Sequence, residues 1–262
     1  MTGIAAAVAT ELMKARRSRV PWGVAAGFTL APFVIGLFMV ILKNPEAARS
    51  LGLLGAKAAL TAGTADWPTF LSMLGQVVTI GGAVLFAFLT AWVFGREFAD
   101  RTVRGLLAVP TRRRTIVAGK AIVVVACAVV ITVWVIVIGL AIGAVLTLPG
   151  WSAANATSAL AGMAVGALLT IALQSATAFV AGVGRGYIAP LAWAVATVAV
   201  SQIMAVLGWG NWFPWSVPAI LAGAGGAAVE PVSPPAVAVV LVVALGGLLA
   251  TMTWWERADH TG

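Results

Sequence analysis

"AIVVVACAVVITVWVIVIGLAIGAVLTLPGWSAANATSALAGMAVGALLTIALQSATAFVAGVG" runs from Ala121 to Gly184 without one Asp, Glu, Lys, Arg or His. A bilayer span takes about 20 mostly apolar residues, so the stretch holds two spans, with "LPGWS" (148–152) as the turn between them. The apolar residues are continuous rather than alternating, which selects helices over barrel strands. In lipid only those two architectures satisfy their backbone polar groups. On either side, residues 20–42, 67–95, 186–229 and 231–255 also carry no charge or histidine. Only 9% of the 262 residues are charged, against about 25% in soluble domains, and mean hydropathy is +1.05. The chain reads as an all-α polytopic membrane protein, a single transmembrane domain over 1–262.

Pro, Gly and Trp divide the runs into six expected spans: 20–42, 70–93, 115–146, 154–182, 188–207 and 235–255. "GVGRGY" (182–187) is the turn between the fourth and the fifth. The formal charge of +8 would suggest nucleic acid in a soluble protein. Here it flanks membrane spans and reads as a topology signal for anionic headgroups, with no nucleic-acid partner. With both ends cytoplasmic, 13 of the 16 Lys and Arg fall inside and 3 (Lys43, Arg49, Lys57) outside, as the positive-inside rule requires of an even span number. Trp22, Trp92, Trp254 and Trp255 are expected at the inner interface, and Trp67, Trp151, Trp209, Trp212 and Trp215 at the outer. Glycine pairs four apart, 23/27, 139/143, 162/166 and 182/186, suit close helix approach.

Three segments lie outside these spans. Residues 1–19 read as an amphipathic interface helix on the inner leaflet, with Ile4, Val8, Leu12 and Ala15 on its apolar face and Glu11, Lys14 and Arg17 elsewhere; Arg16 joins these three as a candidate contact residue. Residues 43–70 have a helical pattern around Leu51, Leu54 and Ala58 and are expected on the outer surface. Residues 209–235 are aromatic and apolar but broken by five prolines. They read as a re-entrant outer segment, a form of backbone tolerated only inside protein or against a cavity.

The sequence excludes much chemistry. The spans hold no Asp, Glu or His for a proton relay. His-Glu-x-x-His, Gly-x-Ser-x-Gly and the Gly-x4-Gly-Lys-Ser/Thr phosphate loop are all missing. Cys127 is the single cysteine and His260 the single histidine, so neither an internal disulfide nor a cysteine metal site can form. A non-catalytic subunit without a cofactor or metal of its own is expected.

One polar stretch remains: "FGREFADRTVRGLLAVPTRRRTIVAGK", from Phe94 to Lys120, with seven of the sixteen Lys and Arg. Glu97/Arg101 and Asp100/Arg104 stand at i,i+4 in the favourable acid-first order. Ala99, Val103 and Leu106 share a face, Pro110 ends the helix, and Thr111 is placed to cap the next one. A helix over 94–107 with exposed apolar residues on the cytoplasmic side is a docking surface.

This stretch resembles the first cytoplasmic loop of ABC-2 type permeases, the membrane subunits of ATP-driven exporters and related transporters. Glu97, Asp100, Thr102, Leu106, Leu107, Pro110, Arg112 and Gly119-Lys120 match the family's pattern. Arg101 stands where Gly is common, so more helix is expected in place of a turn. The resemblance implies that residues 94–114 form a coupling loop. Phe94, Arg96, Glu97, Phe98, Asp100, Arg101, Thr102, Val103, Arg104, Leu106, Leu107 and Pro110 would contact the ATPase, with Glu97 the most sensitive. It also implies two separate ABC ATPase subunits carrying ATP and Mg, a second permease chain, identical or paralogous, surrounding lipids, and a location in the cell membrane. An apolar path suggests hydrophobic or amphipathic cargo: a drug, peptide or lipid. The alternatives are an intramembrane lipid-modifying enzyme, against which the missing nucleophile motifs argue, and a non-transporting scaffold or sensor.

Overall fold

The structure, a computed structural model, describes residues 3–44, 63–103, 105, 111–224 and 231–257. In chain order the elements are α1 (Gly3–Arg17), α2 (Val20–Lys43), α3 (Trp67–Gln76), a π turn (Val77–Gly81), α4 (Gly82–Ala99), α5 (Arg113–Val145), α6 (Ala153–Val183), α7 (Ile188–Val206), a 3-10 turn (Gly210–Trp212), α8 (Val217–Leu221) and α9 (Pro234–Arg257). No strand occurs among the described residues. Among the described residues, six helices are long and apolar enough to cross a membrane: α2, the continuous α3–π–α4 rod, α5, α6, α7 and α9.

Local chemistry sets several ends. Asp66 caps the second span, its carboxylate accepting from the Thr69 amide at 2.9 Å, and Pro68 sits in the first turn where a missing N–H costs nothing. Burial pushes the Asp66 carboxyl up, but hydrogen bonds from Thr64 and Thr69 outweigh it and hold the carboxyl below its ordinary value. Inside the rod, the Thr79 hydroxyl donates back to the Gly75 carbonyl at 2.8 Å, within the π turn where the regular helical ladder is interrupted.

The second span and α5 each have 33 residues, or about 50 Å at 1.5 Å per residue. The hydrocarbon core is about 30 Å thick and takes about 20 of them. Each helix is therefore longer than one perpendicular crossing needs, and the two meet at the end where residues 100–112 join them.

α6 lies at the centre, packed against α3, α4, α7, α8 and α9. One apolar core gathers Phe28 and Met39 of α2, Phe70 and Leu74 of α3, Val135 of α5 and Met163 of α6. A second, near the ends of α4 and α5 that residues 100–112 join, gathers Phe94, Val117, Ala178 and Trp255. Within the outer segment, α8 rests on α6 through glycine: a Cβ at Gly166 would stand 2.6 Å from the Pro218 carbonyl oxygen, and one at Gly162 2.5 Å from that of Leu221. The 162/166 pair thus seats a backbone, whereas Gly23 and Gly27 meet nothing.

Several expectations change. The second span begins before residue 70 and continues to Ala99 rather than ending at 93. Two tryptophans expected in the interfacial belts are core residues: Trp255 is buried against Phe98, with centroids 5.5 Å apart, and Trp67 is buried against Phe70, 5.7 Å apart. Trp22, Trp151, Trp209 and Trp212 are exposed. The outer surface helix around Leu51, Leu54 and Ala58 lies outside the described residues, as do Arg104, Leu106, Leu107, Pro110 and His260.

Candidate functional site

Near the ends of α4 and α5 that residues 100–112 join, five charged side chains from three helices meet. Glu11 and Lys14 come from α1, Arg96 and Glu97 from the last turn of α4, and Lys120 from the third turn of α5. Lys120 is wholly buried, and its ammonium donates to Glu97 Oε1 at 2.8 Å, to the Val93 carbonyl at 2.8 Å and to Glu11 Oε2 at 3.3 Å. Three donors meet three acceptors, which is the capacity of an ammonium group. Lys14 bridges the two acids, at 2.7 Å from Glu11 Oε1 and 3.2 Å from Glu97 Oε1. Arg96 closes the group, 3.5 Å from Glu11 and 3.4 Å from Glu97, and its guanidinium lies 4.6 Å from the Trp92 ring centroid.

Three cations and two carboxylates give this cluster a formal charge of +1. Both acids are at most 5% exposed. Charges withdrawn from water this far persist only when paired and hydrogen-bonded. Glu97 Oε2 is buried and receives no hydrogen bond among the described residues.

The backbone delivers these groups by close packing. A Cβ at Gly119 would lie 2.9 Å from Ala7 Cβ, so only glycine lets α1 approach α5 so closely. Contacts Gly3/Thr115, Ala7/Gly119 and Glu11/Lys120 advance in the same sense along both helices. The residues of α1 that become buried are Glu11 and Ala15, while Ile4 is exposed. This corrects the expected amphipathic face: the polar residue Glu11 lies on the packed side because Lys120 waits there.

The helix expected over 94–107 is interrupted. α4 ends at Ala99, and Arg101 adopts φ 57°. The amide of Arg101 donates to the Phe98 carbonyl at 3.2 Å and that of Thr102 to the Glu97 carbonyl at 2.9 Å, the paired bonds of a Schellman cap. Arg101 therefore takes the left-handed conformation that glycine usually fills, and the turn is kept rather than replaced. Glu97 pairs with Lys120, Lys14 and Arg96, not with Arg101. Its burial removes it from any outer contact surface.

The remaining expected residues separate into two groups. Phe94 and Val103 are buried, and Phe98 packs on Trp254 and Trp255. Asp100, Arg101 and Thr102 are exposed, as are Arg16 and Arg17. Arg112, not Thr111, holds the α5 cap position, with no side-chain cap bond. Next to it, Arg113 donates to the Trp255 and Glu256 carbonyls at 3.1 and 3.2 Å, a cation at the C-terminal end of α9, where the helix dipole favours it. Both roots of the 100–112 loop are thus tied to α1 and α9. Sequence reasoning did not pick out Lys120 as a site residue, although a lone lysine inside "TIVAGKAIVVV" was the available signal.

The sequence profile described as ABC-2 family transporter protein matches residues 7–201, which include all five cluster residues. The chain belongs to the ABC-2 transporter family. The bacitracin transport permease protein BCRB of Bacillus licheniformis is 24% identical over 185 residues, covering 70% of this chain and 88% of that protein. As an ABC-2 family member with six apolar helices, the chain is a multi-pass transport permease of the cell membrane.

Proposed function

We propose that this ABC-2 permease is the membrane subunit of an ATP-driven exporter, energised by two separate ABC ATPase subunits that seat under the 100–112 loop. Both termini face the cytoplasm, and a second permease chain, identical or paralogous, completes the path. ATP and Mg belong to the ATPase; the phosphate-loop motif is missing from this sequence. The supporting observation is the cluster of Glu11, Lys14, Arg96, Glu97 and Lys120, which joins α1, α4 and α5 at the foot of the loop. The exposed Asp100, Arg101 and Thr102 touch the ATPase, and the buried Glu97 transmits rather than docks. Movement of the ATPase pair then shifts α1 and the second and third spans as one body. The cargo is amphipathic or hydrophobic, in keeping with an apolar molecule whose relative is named for bacitracin transport.

The test is site-specific photo-crosslinking from positions 100 and 102 in native membranes. Capture of an ABC ATPase from both positions, and none from position 152 in the α5–α6 turn, supports the reading. Failure to capture an ATPase from either loop position, with the permease intact and inserted, overturns it.

A further inference from the structure

A second feature lies on the lipid-facing side of α1, away from the charge cluster. Between α1, α2 and α5 runs an open groove of about 490 Å³, its walls including Trp22, Ala25, Cys127, Val130 and Trp134. Arg16 is the one charged residue on its lining. Arg16, Arg17 and Arg19 are exposed and within salt-bridge distance of no carboxylate among the described residues. Their neighbours Lys14, Arg96 and Lys120 are paired with Glu11 and Glu97. Arg16 therefore brings an unpaired positive charge to the wall of an apolar groove, close to the break between α1 and α2.

That pairing selects its occupant. An apolar groove beside a bilayer takes an acyl chain, and the unpaired Arg16 guanidinium on its wall takes a phosphate, which arginine binds through paired N–H donors. A neutral zwitterionic lipid would fill the groove but leave the charge of Arg16 unbalanced. A soluble anion would meet Arg16 but not the groove. We infer that the α1–α2–α5 groove is a binding site for an anionic phospholipid, with one acyl chain along Cys127 and Trp134 and the headgroup phosphate against Arg16. The bound lipid wedges α1 against α2, so the membrane's anionic lipid content sets how firmly the N-terminal helix is held. None of the five cluster residues takes part, so the site stands whether or not the loop binds an ATPase.

The experiment is native mass spectrometry of the detergent-purified chain, titrated with phosphatidylglycerol or with phosphatidylcholine of the same acyl chains. Wild type should retain phosphatidylglycerol in preference. Each arginine at an anionic surface contributes about fivefold, so Arg16→Gln should lower that preference by about fivefold while leaving phosphatidylcholine retention unchanged. Ala126→Trp, which fills the groove and leaves the arginines in place, should lower retention of both lipids. Glycerol phosphate, the headgroup without chains, should displace nothing. Equal retention of the two lipids by wild type overturns the site. So does an unchanged preference in Arg16→Gln. Retention unaffected by Ala126→Trp, or displacement by glycerol phosphate, reduces it to surface charge and equally overturns it.

Discussion

Replacing Lys120 and Glu97, singly and together, tests whether the charge cluster acts as one unit. At 2.8 Å, the Lys120–Glu97 separation, two unit charges attract by about 6 kcal/mol at an effective dielectric of about 20. Desolvation of both groups returns much of this, and the measured loss on removing one partner of a buried pair is about 3–5 kcal/mol. The two single changes should not be equal. Lys120→Met leaves Glu97 with Lys14 at 3.2 Å and Arg96 at 3.4 Å, so it belongs near the lower end, about 3 kcal/mol. Glu97→Gln leaves a wholly buried ammonium with only Glu11 at 3.3 Å as a charged partner besides the Val93 carbonyl, and belongs near the upper end, about 5 kcal/mol. The double variant should cost less than the sum, with a coupling energy of about 2–3 kcal/mol. Unfolding in lipid nanodiscs, followed together with protease release of residues 1–17, reads both the fold and the docking of α1. The exposed Arg114–Glu256 pair is the internal control and should show far weaker coupling than the buried pair, because solvent screens it. Additivity of Lys120→Met and Glu97→Gln within about 0.5 kcal/mol, or an α1 that stays equally protected in all variants, would refute the cluster as a joint.

Three further outcomes follow from the geometry. Gly119→Val places a branched side chain where a Cβ alone would be 2.9 Å from Ala7; α1 should become protease-sensitive while the six spans remain inserted, and unchanged protection would show that α1 packs elsewhere. Asp66→Ala removes the cap on the second span and should cost about 1 kcal/mol, with Asp66→Asn retaining most of it. Because the folded carboxyl titrates below its ordinary 3.8, the wild-type advantage over Asn should be complete above that value and fade as pH falls through the folded pKa; an advantage growing on acidification would reverse the assignment. In a Cys127→Ala background, a cysteine at Ser152 should be labelled by an impermeant maleimide from outside intact cells and one at Ser18 only after permeabilisation; the opposite pattern would invert the topology.

The spans were legible because their signal is local. The expected 20–42 and 154–182 differ by about a residue from Val20–Lys43 and Ala153–Val183. The second span was expected to end at residue 93, before Arg96 and Glu97. They continue the helix instead, because Lys120, Lys14 and Glu11 neutralise and bury them. Those partners stand 23 and more than 80 residues away in sequence, beyond the reach of helical periodicity. The same blindness put Glu11 off the packed face of α1 and Glu97 on a docking surface. The Arg101 turn was misread for another reason. Arginine rarely occupies the left-handed region, and only the Phe98 and Glu97 carbonyls, which need capping, hold it there. Trp67 and Trp255 were assigned to the belts by position alone, and the core takes them because Phe70 and Phe98 offer edge-on partners.

The composition of the joint bears on what it does. Ala7 fits the space left by Gly119, where a Cβ would stand 2.9 Å from it, so a shift of α1 by a turn would set Ala7 against a side chain. Lys120 adds a directional constraint to this steric one, because its acceptors come from three residues, Val93, Glu97 and Glu11, on two other helices. A cluster of buried charges contributes little net stability compared with apolar side chains of equal volume, so stability alone gives no reason to place five charges here. Register does. Under the proposed coupling, a joint with a fixed register passes a displacement of residues 100–112 to α1, α4 and α5 together.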